Sequence, residues 1–260
     1  MRLLGAEALG RPAVHHRPVI VLKKFLKPEI RYARRMARIA RWDRELAGPL
    51  DHARAWTNML FVDHGILRLL YPNRGRVTPD LWRSSQPSPG QVAWFAKAGG
   101  KTIVNLRGGR EHGSWPLERD ACRRHHVTLA EFVLRSREAP DKATLLGMAA
   151  FLEGLDYPVL VHCKSGADRA GLFAALYLII REHAKVAEAR EELGLRYGHF
   201  RHAKTGILDA FLDVYEREGE AKGLAFEDWV RDVYDPAALT KSFRVGIWQS
   251  LVADRLLRRE

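Results

Sequence analysis

The chain predicts an α/β fold, with a central, mostly parallel sheet flanked by helices and a helical extension at each end. Three observations carry this. From about residue 76 short strand-like runs alternate with helix-length segments, the pattern of layered α/β proteins. One run, PVLVH (158–162), is nearly all apolar and leads toward a second apolar segment, AGLFAALYLII (170–180). Such a strand belongs in the middle of a parallel sheet covered on both faces. Finally, 260 residues, 47% of them hydrophobic, can bury a sizeable core, yet no apolar run nears the ~20 residues a membrane-spanning helix needs.

Taken in order, residues 1–60 read as a basic helical extension. The start, MRLLGAEALGRPAVHHRPVIVLKKFLK, has no apolar stretch followed by a small-residue cleavage site, which argues against a secretory signal. Residues 23–44 (KKFLKPEIRYARRMARIARWDR) hold nine Lys or Arg against only Glu29 and Asp43. Pro28 and Glu29 suit a first helical turn, and Tyr32, Ala33, Met36, Ala37, Ile39 and Ala40 then recur on one stripe. Two readings stand: a solvated helix packed on the main domain, or one that docks on an anionic membrane surface or a partner. The net charge of +12 favours anionic partners. No reader motif accompanies it, so nucleic acid is not expected among them.

Residues 61–217 read as the main domain. LWRSSQ (81–86) leads through Pro87 and Pro89 into a helix over QVAWFAKAGG, which ends at Gly99–Gly100. TIVNLR (102–107) reads as a buried strand, followed by the loop GGREHGSWP. Leu117 to His126 reads as helix and VTLAEFVL (127–134) as strand. After the loop SREAP, Pro140 and Asp141 open another helix. Residues 218–260 read as a helical C-terminal extension packed on the domain. Two cysteines, Cys122 and Cys163, make no disulfide framework. A reducing cytoplasm is the expected compartment, with peripheral attachment at the inner membrane surface if the basic helix docks.

The chemistry gathers in VLVHCKSGADRAG (159–171), a buried strand, a short loop and a helix. A loop between a strand's C-terminal end and a helix N-terminus is where α/β sheets bind ligands. Its backbone N–H groups and the first helical turn attract an anion, and Gly166 lets the backbone come close to one. Arg169 can hold two phosphate oxygens in its planar fork. The same positive field favours the thiolate of Cys163, the nucleophilic form.

HCKSGADR resembles the H-C-x5-R loop of the cysteine-dependent protein tyrosine phosphatase superfamily, above all its bacterial dual-specificity and lipid-phosphatase branches. RSSQPSPGQ and GGKTIVNLRG resemble flanking segments of the same proteins. The resemblance covers roughly residues 76–217 and implies a protein tyrosine phosphatase-like fold of the dual-specificity type. It implies that Cys163 attacks phosphorus, that Arg169 holds the phosphoryl oxygens, and that Lys164, Ser165, Gly166, Ala167, Asp168 and Arg169 form the phosphate cradle. No cofactor or metal is implied. His162 either orients the loop from behind or is a packed neutral histidine.

The resemblance leaves the general acid open. An aspartate about thirty residues before the cysteine is the common pattern, and none stands there. Asp168, just before the loop arginine as in some lipid phosphatases, is the first choice; Asp141 and Glu138 are the alternatives, although Asp141 also suits an N-cap. Ala170 replaces the usual Ser or Thr after the arginine, which implies slow breakdown of a phosphoenzyme. Protein phosphotyrosine, phosphoserine or phosphothreonine is the expected substrate, with phosphoinositide, phospholipid or inositol phosphate as the alternative. A non-catalytic phosphate-binding or membrane-docking module is a further one. Arg107 and Arg110 either line the pocket or face solvent. LRYGHFRHAKTG (195–206) either binds a second anionic group or packs Tyr197 and Phe200 with its charges in water. Cys122 with His125 and His126 lacks a second ligand cluster for zinc.

Overall fold

A computed structural model describes residues 28–244. The basic residues Lys23, Lys24 and Lys27 and the end of the C-terminal extension, 245–260, lie outside the described residues. Three helices come first, α1 (Pro28–Trp42), α2 (Gly48–Thr57) and α3 (Gly65–Leu70), with a π-helical turn, Asn58–Val62, between the last two. The alternating part follows: β1 (Gly75–Arg76), β2 (Leu81–Ser85), α4 (Pro89–Lys97), β3 (Thr102–Asn105), α5 (Ser114–Arg124), β4 (Thr128–Glu131), α6 (Lys142–Leu146), α7 (Met148–Glu153), β5 (Val159–Cys163) and α8 (Asp168–Ile180). Then come α9 (Val186–Ala189), α10 (Ile207–Glu218), α11 (Phe226–Asp232) and a helical stretch at 236–244.

The strand order is β1-β2-β5-β3-β4. β2, β5, β3 and β4 run parallel, and only the two-residue β1 is antiparallel to its neighbour. The apolar strand β5 is central and wholly buried. α8 is apolar on nearly every side, and a helix of that composition must be enclosed. It lies in the main core with α7, α10 and α11. A smaller core on the other side of the sheet joins Val92 and Phe95 of α4 to Ala121 and Cys122 of α5.

Two differences from the sequence reading have physical causes. LWRSSQ contains a strand, β2, although its composition is polar. Its Arg83, Ser84 and Ser85 are buried, and Arg83 bonds the carbonyls of the neighbouring loop rather than solvent. α1 does form an amphipathic helix, but of its stripe only Ile39 is even partly covered; Tyr32 and Met36 are exposed. Trp42, with Ala55, Met59 and Leu117, and ion pairs from Arg35 and Arg38 to Glu111 hold the segment to α5 and its preceding loop. The described part of the C-terminal extension shares the main core through Phe226, Trp229 and Tyr234.

Candidate active site

Cys163 ends β5 and Asp168 begins α8, so residues 164–167 turn the chain between them. Gly166 has φ +76°, and a Cβ there would stand 2.6 Å from the backbone nitrogen of Ser85. Only glycine fits both demands. Each carbonyl of the turn is engaged from outside. Lys164 O accepts the Gln86 N–H at 3.3 Å, and Ser165 O accepts from Asn73 Nδ2 at 2.8 Å. Gly166 O and Ala167 O accept from Arg83 Nη2 at 2.7 and 3.0 Å. With the carbonyls drawn outward, the N–H groups are left to face inward, as in an anion-binding nest. That of Gly166 donates to Cys163 Sγ at 3.2 Å.

Arg83 is fully buried beneath this turn. Its charge meets Glu192 Oε2 at 2.7 Å, and its guanidinium stacks 3.6 Å from the Tyr197 ring centroid. A buried charge needs both a partner and hydrogen bonds, and Arg83 has each. Arg169, half-buried, reaches Leu106 O at 3.5 Å. Behind the loop His162 is fully buried, with Nε2 2.7 Å from Glu118 Oε1 but out of line for a hydrogen bond. Glu118 Oε2 accepts from Gln86 Nε2 at 2.8 Å and from Asn105 Nδ2 at 3.0 Å. His162 therefore belongs to a polar network that ties β3, α5 and β5 together under the loop.

On one flank stands Asp63, fully buried, just after the π-helical turn. Arg107 grips it with both nitrogens at 2.8 and 2.9 Å, Arg68 Nη2 lies at 3.0 Å, Lys164 Nζ at 3.1 Å, and the Ser114 hydroxyl donates to it. Burial alone would raise the Asp63 carboxyl. Hydrogen bonds from Arg107 and Ser114 and the charges of Arg107 and Arg68 outweigh it and hold the group well below the usual carboxylate range. One carboxylate thus gathers three cations, one of them from the loop itself.

On the other flank His199 is buried between Asp168 and Asp209, Nδ1 2.7 Å from Asp168 Oδ1 and Nε2 2.7 Å from Asp209 Oδ2. Burial opposes its charge, but the two carboxylates prevail and raise the imidazole to about 9. It is cationic through neutral pH and donates to both.

The other residues singled out in the sequence take up different places. Asp141 caps α6, accepting from the Thr144 N–H at 2.9 Å and its hydroxyl at 2.6 Å, and these bonds lower its pKa. Glu138 pairs with Arg135 at 3.0 Å on the surface. Of the two loop arginines, Arg107 turns inward to Asp63, whereas Arg110 joins Asp43 and Glu131 at the surface. In the stretch 195–206 Tyr197 packs as expected, but Phe200 is exposed and His199, expected in water with the charges, is buried. Cys122 faces the core, where burial pushes its thiol up, while His125 and His126 face solvent. These three do not converge. Asp63, Asn73, Arg83, Glu192 and Asp209 were not picked out by sequence reasoning. The one hint was RSSQ, whose likeness to the family does not reveal a buried arginine.

The arrangement can hold a tetrahedral anion in inward-facing N–H groups with a thiol at its base. Residues 74–207 match the family model described as DSP-PTPase phosphatase fused to NAD+ kinase. The dual specificity protein phosphatase TpbA of Pseudomonas aeruginosa is 31% identical over 195 residues, covering 69% of this chain and 77% of that protein. TpbA of a second strain is 33% identical over 162 residues, covering 57% of this chain and 65% of that protein. The crystal structure of P. aeruginosa TpbA superposes with a TM-score of 0.47 at 25% identity, covering 61% of this chain and 88% of that one. With more than half its length matched, the chain belongs to this family of dual-specificity phosphatases and is a cysteine-dependent phosphatase.

Proposed function

We propose that the protein hydrolyses phosphomonoesters on protein tyrosine, serine or threonine through a phosphocysteine on Cys163. The observation that carries this is the turn 164–167, whose carbonyls are all held outward and whose Gly166 N–H points at Cys163 Sγ. Sulfur attacks phosphorus as the ester P–O bond breaks, and Arg169 holds two of the non-bridging oxygens. Water then cleaves the P–S bond, releasing inorganic phosphate and the thiolate.

Asp168 is our choice for the acid that protonates the leaving oxygen. Both alternatives are engaged elsewhere, Asp141 by Thr144 and Glu138 by Arg135. A phosphate dianion beside Asp168 opposes a second anion there, and the proton that relieves the repulsion stands 2.7 Å away on His199. A lipid or inositol phosphate as substrate is favoured by one separate observation. Three cations share the single carboxylate of Asp63, which leaves surplus positive charge beside the loop.

A panel of phosphotyrosine peptide, phosphoserine peptide and phosphoinositide tests the reading, with Cys163→Ser as the blank. Turnover on the peptides, abolished in Cys163→Ser and in Arg169→Lys but resistant to EDTA, is the expected result. Turnover retained in Cys163→Ser would remove Cys163 from the mechanism. Turnover confined to the phosphoinositide would move the substrate to lipid.

A further inference from the structure

The segment between Asp63 and Tyr71 is turned inside out. α3 has one charged residue, Arg68, and it is buried at 7% exposure, held by Asp63. Its apolar residues face outward, with Leu67 at 67% and Leu70 at 79% exposure. Phe61 at 66%, with Val62, continues the surface before α3, and Tyr71 continues it after. A short helix that hides its arginine and shows its leucines to water is poorly matched to water.

This surface runs into the basic helix. Val62 shares a cleft of about 620 Å³ with Leu50, Arg54, Trp42 and the α1 residues Arg38 and Arg41. Arg31, Arg34 and Arg41 face solvent on α1 beside the exposed Tyr32 and Met36. The same segment is also joined to the phosphate loop. Asp63, next to Val62, bonds Lys164 at 3.1 Å, and Asn73, two residues past Tyr71, bonds the Ser165 carbonyl.

We propose that residues 61–71 and α1 together form a docking surface for an anionic lipid membrane. The apolar rim enters the interface and the α1 arginines meet the headgroups. Charge selects this occupant. Exposed leucine and phenylalanine rimmed by arginines suit an interfacial bilayer site, whereas a second copy of the chain would bring a like-charged helix against α1. The surface does not depend on which substrate is cleaved, because docking is read without turnover.

The test uses the full chain sedimented with phosphatidylcholine vesicles, with and without phosphatidylglycerol. The expected result is binding to the anionic vesicles that weakens as salt rises. Leu67→Ser with Leu70→Ser lowers the bound fraction roughly tenfold, and Arg34→Gln with Arg41→Gln lowers it and flattens the salt dependence. Hydrolysis of a small soluble aryl phosphate stays unchanged in both, which separates lost docking from lost folding or catalysis. Failure of the full chain to sediment with anionic vesicles overturns the proposal. So does unaltered binding by the double leucine variant, or a concentration-dependent dimer that this variant abolishes in the absence of lipid.

Discussion

The two flanks of the loop after Cys163 are built with opposite charge logic. On one, a single buried carboxylate, Asp63, is surrounded by Arg107, Arg68 and Lys164. On the other, a single buried imidazole, His199, lies between Asp168 and Asp209. The first leaves cationic charge to spare beside the loop; the second leaves a carboxylate with a proton donor behind it. On the function proposed above, a site so polarised would draw an anion from one side and hand its leaving group a proton from the other. Neither flank would do both, since the groups that draw phosphate in would also strip a nearby acid of its proton.

The comparison is broken most directly at Asp168. If the second flank supplies the proton, Asp168→Asn slows hydrolysis of alkyl phosphates by about 10²–10⁴. Aryl phosphates with stable leaving anions suffer far less. Steady-state rates across a leaving-group series check this, with Asp141→Asn as control, because asparagine still caps α6. A selective defect in Asp141→Asn would move the acid to the loop before α6.

On the first flank, Asp63→Asn leaves buried arginines facing one another without their anion. Losing one member of a buried pair costs about 3–5 kcal/mol, so urea denaturation finds a lower midpoint with little change in slope. A loss below about 1 kcal/mol would mean that solvent already screens the cluster.

The smallest effect is also the one that separates the flanks by pH. The imidazole of His199 rises from its ordinary 6.5 to about 9 on folding. Its stabilisation is therefore complete below about 6.5 and is lost as pH climbs through about 9, on the order of 1–3 kcal/mol. Asp63 has the opposite sign. Its folded value lies below the ordinary carboxylate range, so its stabilisation is present above about 4 and persists into stronger acid. Thermal melts from pH 6 to 10 show a decline that His199→Gln flattens and Asp63→Asn leaves in place.

Much of the frame was legible in the residues. β5 announces itself as a short apolar run, and Gly166 marks the turn after it because so close an approach to Ser85 at a positive φ needs a residue without Cβ. α8 follows because a helix apolar all round has to be enclosed. What stayed hidden was whatever depends on distant pairing. Asp63 meets Lys164 across 101 positions and Arg83 meets Glu192 across 109, and neither pairing leaves a periodic trace. β2 escaped for the same reason, since a buried arginine reads as a surface one until its partner is known. α1 shows the converse: its period was plain, but whether the stripe is covered depends on what lies opposite.

Arg83 has a consequence for binding thermodynamics. Two loop carbonyls, Glu192 and the Tyr197 ring all hold it, and it in turn holds the loop through contacts that involve no bound anion. A cradle shaped by its own scaffold has little configurational freedom left to surrender when the anion arrives. Phosphate and vanadate should enter it with a small entropic penalty from the protein, and with no slow isomerisation ahead of capture. On that reading the ligand would fill a mould cast when the chain folded.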